Sequence, residues 1–466
     1  MHNQSSRLAL AGIHHRQLMA HLFPGDGLEA AAVLLCGQAR PGRPLLCVRD
    51  IVLVPHATCK RRRDVITWPS DLLEEALERA NDEKLSIILV HSHPGENREF
   101  STIDNDSDRE IVPDLYDGLA HAIQLVGTAI MLSDGWIKSR IYDYECNAID
   151  IDIVRMAGDD IAFYTPGGSA QRPLAFGDTM RDELGSLTAG FVGASGTGSI
   201  VGEQIARLGF GRIVTIDPDH IETKNLNRIL NATTEDAISS RLKTDRYADS
   251  VRSHRGNVEI VCHPISVESR PAIEALAVAD VIFCCVDSAI GRQYCDLIAS
   301  AFVIPLFDVG VTIPTANEGD GIMIADVNGR IDYVQPGGSA LGDRNVYTQA
   351  QLRAERLAST DPEGFAQELD DGYIEGAHEE APSVITLNMR AASAAVSEFI
   401  ARAYPYRFES NRLYARTEFS LAEMLEEYTS EDEWGPRIAS HLVGRGAWEP
   451  LLGIPGLSTT NRGRTS

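Results

Sequence analysis

Short apolar runs closed by glycine, histidine or aspartate recur along this chain. Between them, apolar residues return every three or four positions. That alternation predicts buried strands connected by amphipathic helices. In the first third, Leu8, Leu10, Ile13, Leu18 and Leu22 among polar neighbours predict a helix over 7–22. Residues 28–37 end in a buried strand, and 44–54 form another. Ser70 is placed to cap a helix over 70–81, with Leu72, Leu73, Ala76 and Leu77 on one face. A buried strand over 85–90 runs straight into His91-Ser92-His93-Pro94. Helix and loop are expected over 106–119. Strands over 121–132 and 135–142 then join through the turn Ser133-Asp134-Gly135.

Breakers mark a joint at 151–175: Gly158-Asp159-Asp160 and Thr165-Pro166-Gly167-Gly168-Ser169. A short helix over 176–187 leads into the apolar run Ala189–Val192. A glycine turn, a helix over 200–208 and a strand over 212–216 follow. Residues 235–253 read as helix, then strands are expected over 258–267, 281–286 and 304–309. Residues 346–369 are polar and helical. Pro382 opens a helix over 383–404, where Val384, Leu387, Ala391, Ala395 and Phe399 recur at helical spacing. The expected class is α/β. The domain reading is 1–150, a linker at 151–175, a second domain at 176–410, and an acidic appendage over 411–466 with a disordered end from 458.

Composition narrows the function. Lys+Arg 42 against Asp+Glu 67 leaves a formal net charge of −25, which argues against a nucleic-acid groove as the main activity. No uncharged apolar run reaches the roughly 18–20 residues that span a bilayer, and no signal peptide is apparent, so a cytoplasmic protein is expected. The eight cysteines form no C-x-x-C pair, and several lie in apolar strands. Reduced, mostly buried thiols are the reading.

His91 and His93 sit at i and i+2 of a strand end, so their side chains share one side. Seven residues later come Ser101 and, three on, Asp104. Two imidazoles and a carboxylate can hold one Zn²⁺ and leave a fourth position for water. The whole string, H-x-H, seven residues, S, two residues, D, resembles the JAMM (JAB/MPN+) metalloprotease signature. That resemblance implies an α/β zinc peptidase cutting ubiquitin-like proteins at or near C-terminal glycines. It implies His91, His93 and Asp104 as ligands and Ser101 as the group that polarises the carbonyl or holds the oxyanion. Glu29, ahead of Ala30-Ala31-Ala32-Val33-Leu34-Leu35-Cys36-Gly37, is the implied general base. Its spacing to Gly37 is one residue longer than in the family.

In the second half, Gly193, Gly196 and Gly198 form a turn that lets a phosphate approach a helix N-terminus. Asp217 ends the next strand, 19 residues past Gly198, where a nucleotide-binding βαβ unit puts its ribose partner. Asp217, Asp219 and Asn225-Leu226-Asn227-Arg228 resemble the D-x-D…N-L-x-R signature of the ThiF/MoeB/HesA adenylating enzymes. The resemblance implies a Rossmann-like domain in which these residues surround ATP. It adds Lys243 as a phosphate ligand, Asp287 as the Mg²⁺ ligand with Arg292 five residues on, and Arg172 or Arg181 as an arginine reaching a partner's ATP. Ser195 departs from the strict dinucleotide fingerprint. The paired C-x-x-C motifs are missing, and no cysteine follows Cys295 to form a thioester.

Together the two resemblances imply one substrate, a ubiquitin-like protein ending in glycine. The first half would trim or remove it, and the second would adenylate its carboxylate with ATP. A separate conjugating enzyme or sulfurtransferase would receive the product. A homodimer is expected by analogy with relatives. A bacterial modification system, some of which act in phage defence, is the expected setting. Two alternatives stand: sulfur-carrier activation for cofactor or natural-product biosynthesis, and a scaffold with one inactive half.

Overall fold

A computed structural model describes residues 5–40, 44–318, 321–370, 383–435 and 440–459. The chain divides into two compact units. The first takes Met1–Arg172, Ser300–Ile304 and His441–Ser466; the second takes Pro173–Ala299 and Pro305–Ser440.

The first unit holds strands β1 (Arg7–Ala11), β2 (Ala31–Gln38), β3 (Leu45–Leu53), β4 (Lys60–Arg61), β5 (Ile66–Thr67), β6 (Ser86–His93), β7 (Val126–Leu132), β8 (Ile137–Tyr142), β9 (Ala148–Asp150), β10 (Ile153–Ala157) and β11 (Ile161–Tyr164). Its helices are α1 (Gly12–Leu22), α2 (Asp71–Glu83) and α3 (Thr102–Gly118). Nine strands make one sheet in the order β11-β10-β1-β3-β2-β6-β7-β8-β9, and β4 with β5 forms a separate small hairpin. The core beneath α1 gathers Leu18, Leu22, Leu34, Val90, Ile130 and Trp136.

Three expectations are corrected here. Residues 7–11 are strand, not helix. They lie fully buried and pair in parallel with both β3 and β10, partners that a local periodicity cannot reveal. Ser70 makes no side-chain cap to α2 because its own backbone is already helical. The expected linker at 151–175 begins with β10 and β11, which complete the first sheet through β1.

The second unit holds β12 (Thr188–Val192), β13 (Arg212–Ile216), β14 (Glu259–His263), β15 (Val281–Cys284), β16 (Leu306–Thr312), β17 (Thr315–Glu318), β18 (Gly321–Ile324), β19 (Asn328–Val334), β20 (Arg416–Ser420) and β21 (Leu425–Thr429). Its helices are α4 (Asp178–Leu184), α5 (Gly196–Leu208), α6 (Thr234–Ile238), α7 (Lys243–Arg252), α8 (Arg270–Leu276), α9 (Ala289–Ala301), α10 (Gln349–Thr360), α11 (Pro362–Asp370) and α12 (Ile385–Ala403). The main sheet runs β14-β13-β12-β15-β16-β19-β20-β21. The first five strands are parallel and the last three join antiparallel. This is a Rossmann-like arrangement, with strand order reversing between β12 and β15.

Helix α12 lays Leu387, Ala391 and Ala395 against Val309, Ile331 and Phe419 of its own unit. Phe399 meets Phe210, Phe283 and Phe307. The apolar face read from the sequence is therefore covered within the unit. Pro382 and the end from 460 lie outside the described residues. The helix expected over 235–253 is two, α6 and α7, broken where Ser240 takes a positive φ of 48°. The appendage read at 411–466 is not separate. Strands β20 and β21 extend the second sheet from β19, while His441 onward belongs to the first unit. Among the described residues no helix is long and apolar enough to cross a membrane.

Candidate functional sites

The first site forms at the end of β6. Antiparallel pairing sets Ala31 opposite His91; Ser92 N donates to Ala30 O, and Ala30 N donates in turn to Ser92 Oγ. Glu29 lies just ahead of the paired residues, at the same end of β6. Side chains two apart on a strand share a face, so Glu29, His91 and His93 converge, their ligand atoms all within 4.8 Å of one another. Helix α3 closes the group. Ser101 caps it by accepting from Asp104 N at 3.1 Å, and Asp104 Oδ2 accepts from Ser101 N at 2.6 Å. This reciprocal box fixes Asp104 in the first turn. Its oxygens stand 3.2 Å from His91 Nε2 and 3.4 Å from His93 Nε2.

The two imidazole Nε2 atoms lie 3.1 Å apart. Ligands about 2.0–2.1 Å from a tetrahedral Zn²⁺ are separated by about 3.3 Å, so all three edges fit. His93 Nδ1 donates to Asn97 O at 2.9 Å, which leaves Nε2 free to ligate. Burial pushes the Glu29 carboxyl above its usual range, partly offset by the histidines. Burial acts the same way on Asp104, but its hydrogen bonds from His91 and His93 prevail and hold it well below. Burial would lower His93, yet bonding to Asp104 raises it. Glu29 is held by its backbone: its N–H donates to Arg62 O at 2.8 Å, and its carbonyl accepts from Arg61 Nε at 2.7 Å.

The second site lies at the carboxyl ends of β12 and β15, where an open α/β sheet binds ligands. Gly193 takes a φ of 87°, and a Cβ there would meet Cys285 O at 2.8 Å. A Cβ on Gly198 would fall 1.6 Å from Gly193 O. Only glycine lets this turn fold back onto the start of α5. Gly196 packs against Asn388 of α12 and against Arg228, whose Cδ would lie 3.3 Å from an added Cβ. Asp217 is buried. One oxygen accepts from Ala194 N at 2.6 Å and the other from Asp219 N at 2.8 Å, so this acid braces the glycine turn. Burial raises its pKa, with Lys243 opposing.

Asp219 is exposed, and its Oδ2 accepts from Lys243 Nζ at 2.8 Å. Asn225 is buried and accepts from Glu222 N at 3.0 Å. Arg228 donates to Lys224 O at 3.0 Å. Asp287 is exposed beyond β15, and its carbonyl accepts from Arg292 Nη1 at 3.3 Å. Arg172 pairs with Asp160 at 3.0 Å, and Arg181 with Asp178 at 3.6 Å.

Sequence reasoning missed the wall beside this site. Arg292 Nε also reaches buried Asp308 at 3.3 Å, and Arg330 bonds the same carboxylate. Arg330, Arg344 and Arg416 then surround buried Asp332 at 2.6, 3.1 and 2.8 Å. Arg292, Gly310, Arg330, Phe419 and Glu427 line a cleft of about 410 Å³. A charged residue inside an apolar strand, as in Leu306-Phe307-Asp308, was the available signal. Asn388 gave none, since it lies on a helix read only for its apolar face.

Two family models match the chain: the ThiF family over residues 169–401, and prokaryotic homologs of the JAB domain over residues 13–136. Among curated proteins, it is 30% identical over 134 residues to the adenylyltransferase and sulfurtransferase UBA4 of Meyerozyma guilliermondii, covering 27% of this chain and 31% of that protein. It is 22% identical over 170 residues to ubiquitin-like modifier-activating enzyme 5 of Caenorhabditis briggsae, covering 34% and 36%. The matches thus span about a third of the length of these relatives. Among solved structures, E. coli MccB aligns with a TM-score of 0.43 and 15% identity, over 57% of this chain and 67% of that one.

Proposed function

Because the chain belongs to the ThiF family and carries a prokaryotic JAB-type domain ahead of it, we propose that it is a two-activity enzyme acting on a ubiquitin-like protein. The observation that carries this reading is the pairing of the His91, His93 and Asp104 set, with its zinc-sized edges, and a glycine turn at a helix start in one chain.

In the first unit, His91, His93 and Asp104 would hold Zn²⁺. The ion supplies Lewis acidity, bringing a water's pKa to about 7 and polarising a carbonyl. Glu29 takes a proton from the attacking water and returns it to the leaving amine. Ser101 Oγ accepts from Asp104 N, which leaves its own proton free to donate to the developing oxyanion. The bond cut is the amide after the modifier's C-terminal glycine.

In the second unit, the modifier's terminal carboxylate attacks the α-phosphorus of ATP. The bond to pyrophosphate breaks, leaving an acyl adenylate. Attack brings anion to anion, so cationic groups must neutralise the approach. Arg228 and Lys243 would supply those charges, and Asp287 would hold Mg²⁺. The cleft past Arg292 is where the modifier's tail would lie. The chain offers no cysteine after Cys295, and Cys295 is fully buried. The adenylate therefore passes to a separate conjugating enzyme or sulfur donor. Sulfur-carrier activation is the second reading, favoured by the sulfurtransferase named among the relatives. Homodimerisation and a bacterial modification setting complete the proposal.

The test has two arms. Purified protein should hold close to one zinc per chain and cleave a ubiquitin-like fusion after its terminal glycine, with cleavage lost in Glu29→Gln while zinc stays. It should also exchange pyrophosphate with ATP when a glycine-ended modifier is present, and Asp287→Ala should lower that exchange at least tenfold. A chain that cannot take up zinc sinks the first arm. Exchange untouched by Asp287→Ala sinks the magnesium assignment.

A further inference from the structure

The small hairpin of β4 and β5 stands against the zinc-type site. Its turn, Arg62 to Val65, closes through Arg62 N donating to Val65 O at 2.9 Å, and Arg62 O accepts from Glu29 N at 2.8 Å. Asp64 in the same turn is close enough to act electrostatically on the Glu29 carboxyl. The turn therefore flanks the group read as general base.

Four consecutive cations occupy this hairpin, Lys60-Arg61-Arg62-Arg63, in a chain whose formal net charge is −25. They divide into two kinds. Arg61 is a strut: it bonds Glu29 O, Leu28 O and both oxygens of Asp26. Lys60, Arg62 and Arg63 are exposed, with no hydrogen bond or ion pair from their side chains among the described residues. Arg61 and Asp26 cancel, so three free cations face one acid, Asp64. Unpaired cations held at the lip of a site, on an otherwise acidic molecule, select an anionic partner by attraction there and repulsion elsewhere.

We propose that Lys60, Arg62 and Arg63 form a docking edge for an acidic segment of the protein substrate, flanking the bond cut beside Glu29. The proposal deepens the peptidase reading and rests on it. Polypeptide is favoured over nucleic acid because the overall charge repels a long polyanion.

The test measures binding apart from cleavage. A fluorescein-labelled peptide with a run of glutamates before a terminal glycine pair is titrated into the zinc-loaded full chain, beside its glutamine counterpart. The acidic peptide should bind about tenfold tighter, with the difference fading as salt is raised. The triple variant Lys60→Ser, Arg62→Ser, Arg63→Ser should erase that preference while keeping its zinc, since Glu29 is held by backbone and by Arg61. Asp64→Asn should tighten acidic binding about twofold. Equal binding of the two peptides overturns the proposal. So does acidic binding unmoved by both variants, or tighter binding of a short single-stranded DNA at the same residues. Charge preference without any cleavage would instead defeat the peptidase reading and leave the docking edge standing.

Discussion

Asp296 on α9 is 2% exposed, and its Oδ2 accepts from the Tyr347 hydroxyl at 2.9 Å and Gly342 N at 3.4 Å. Burial pushes its carboxyl up to about 6, only partly offset by these bonds, from an ordinary 3.8. An acid raised in this way binds more protons folded than unfolded, so it withdraws stability as pH climbs from about 4 to about 6 and nothing further above that. Asp296→Asn removes the titration. The Tm difference between variant and parent should therefore grow in the variant's favour across that window and level off beyond it, as thermal melts at stepped pH would read. Residues were legible in the sequence where chemistry repeats at short range. His91, His93, Ser101 and Asp104 declared themselves by spacing. Asp332, encircled by Arg330, Arg344 and Arg416, did not, because its partners come from three separate stretches.

Elements were legible where a pattern is local. Strand β13 matches the reading residue for residue, and α5 starts earlier only because its first turn is built of the glycines themselves. The misreadings came where a neighbour decides: β1 is strand because β3 and β10 flank it, and β20 is strand because β19 waits for it. Helix α5 depends on the fold-back at its start. Gly198→Ala puts a methyl into Gly193 O at 1.6 Å, and this backbone clash cannot be relieved by a side-chain rotation. Overpacking of that kind costs about 1–3 kcal/mol. The expected variant melts several degrees lower and loses ATP binding by calorimetry, while zinc content in the first unit stays whole.

At the scale of the whole molecule, the first unit is assembled from three separated stretches. Gly37 has no Cβ because Gly444 O would lie 2.3 Å from it. Gln38 O accepts from Ala447 N at 2.7 Å, and Arg49 Nη1 donates to His441 O and Val443 O. Leu442, Leu451 and Leu452 are buried there. Deleting 441–466 should uncover the Gly37–Gln38 end of β2 and Arg49 of β3. Hydrogen exchange would then show those two strands losing protection while β12 and β13 keep theirs. Unchanged protection in β2 would refute the role given to this segment.

That closing segment also fixes an order of events during synthesis. The sheet of the first unit leaves the ribosome early, but the residues that pack on Gly37, Gln38 and Arg49 follow only after the chain of the second unit has emerged. The fold of the first unit is thus completed only once residues 173–440 have been made.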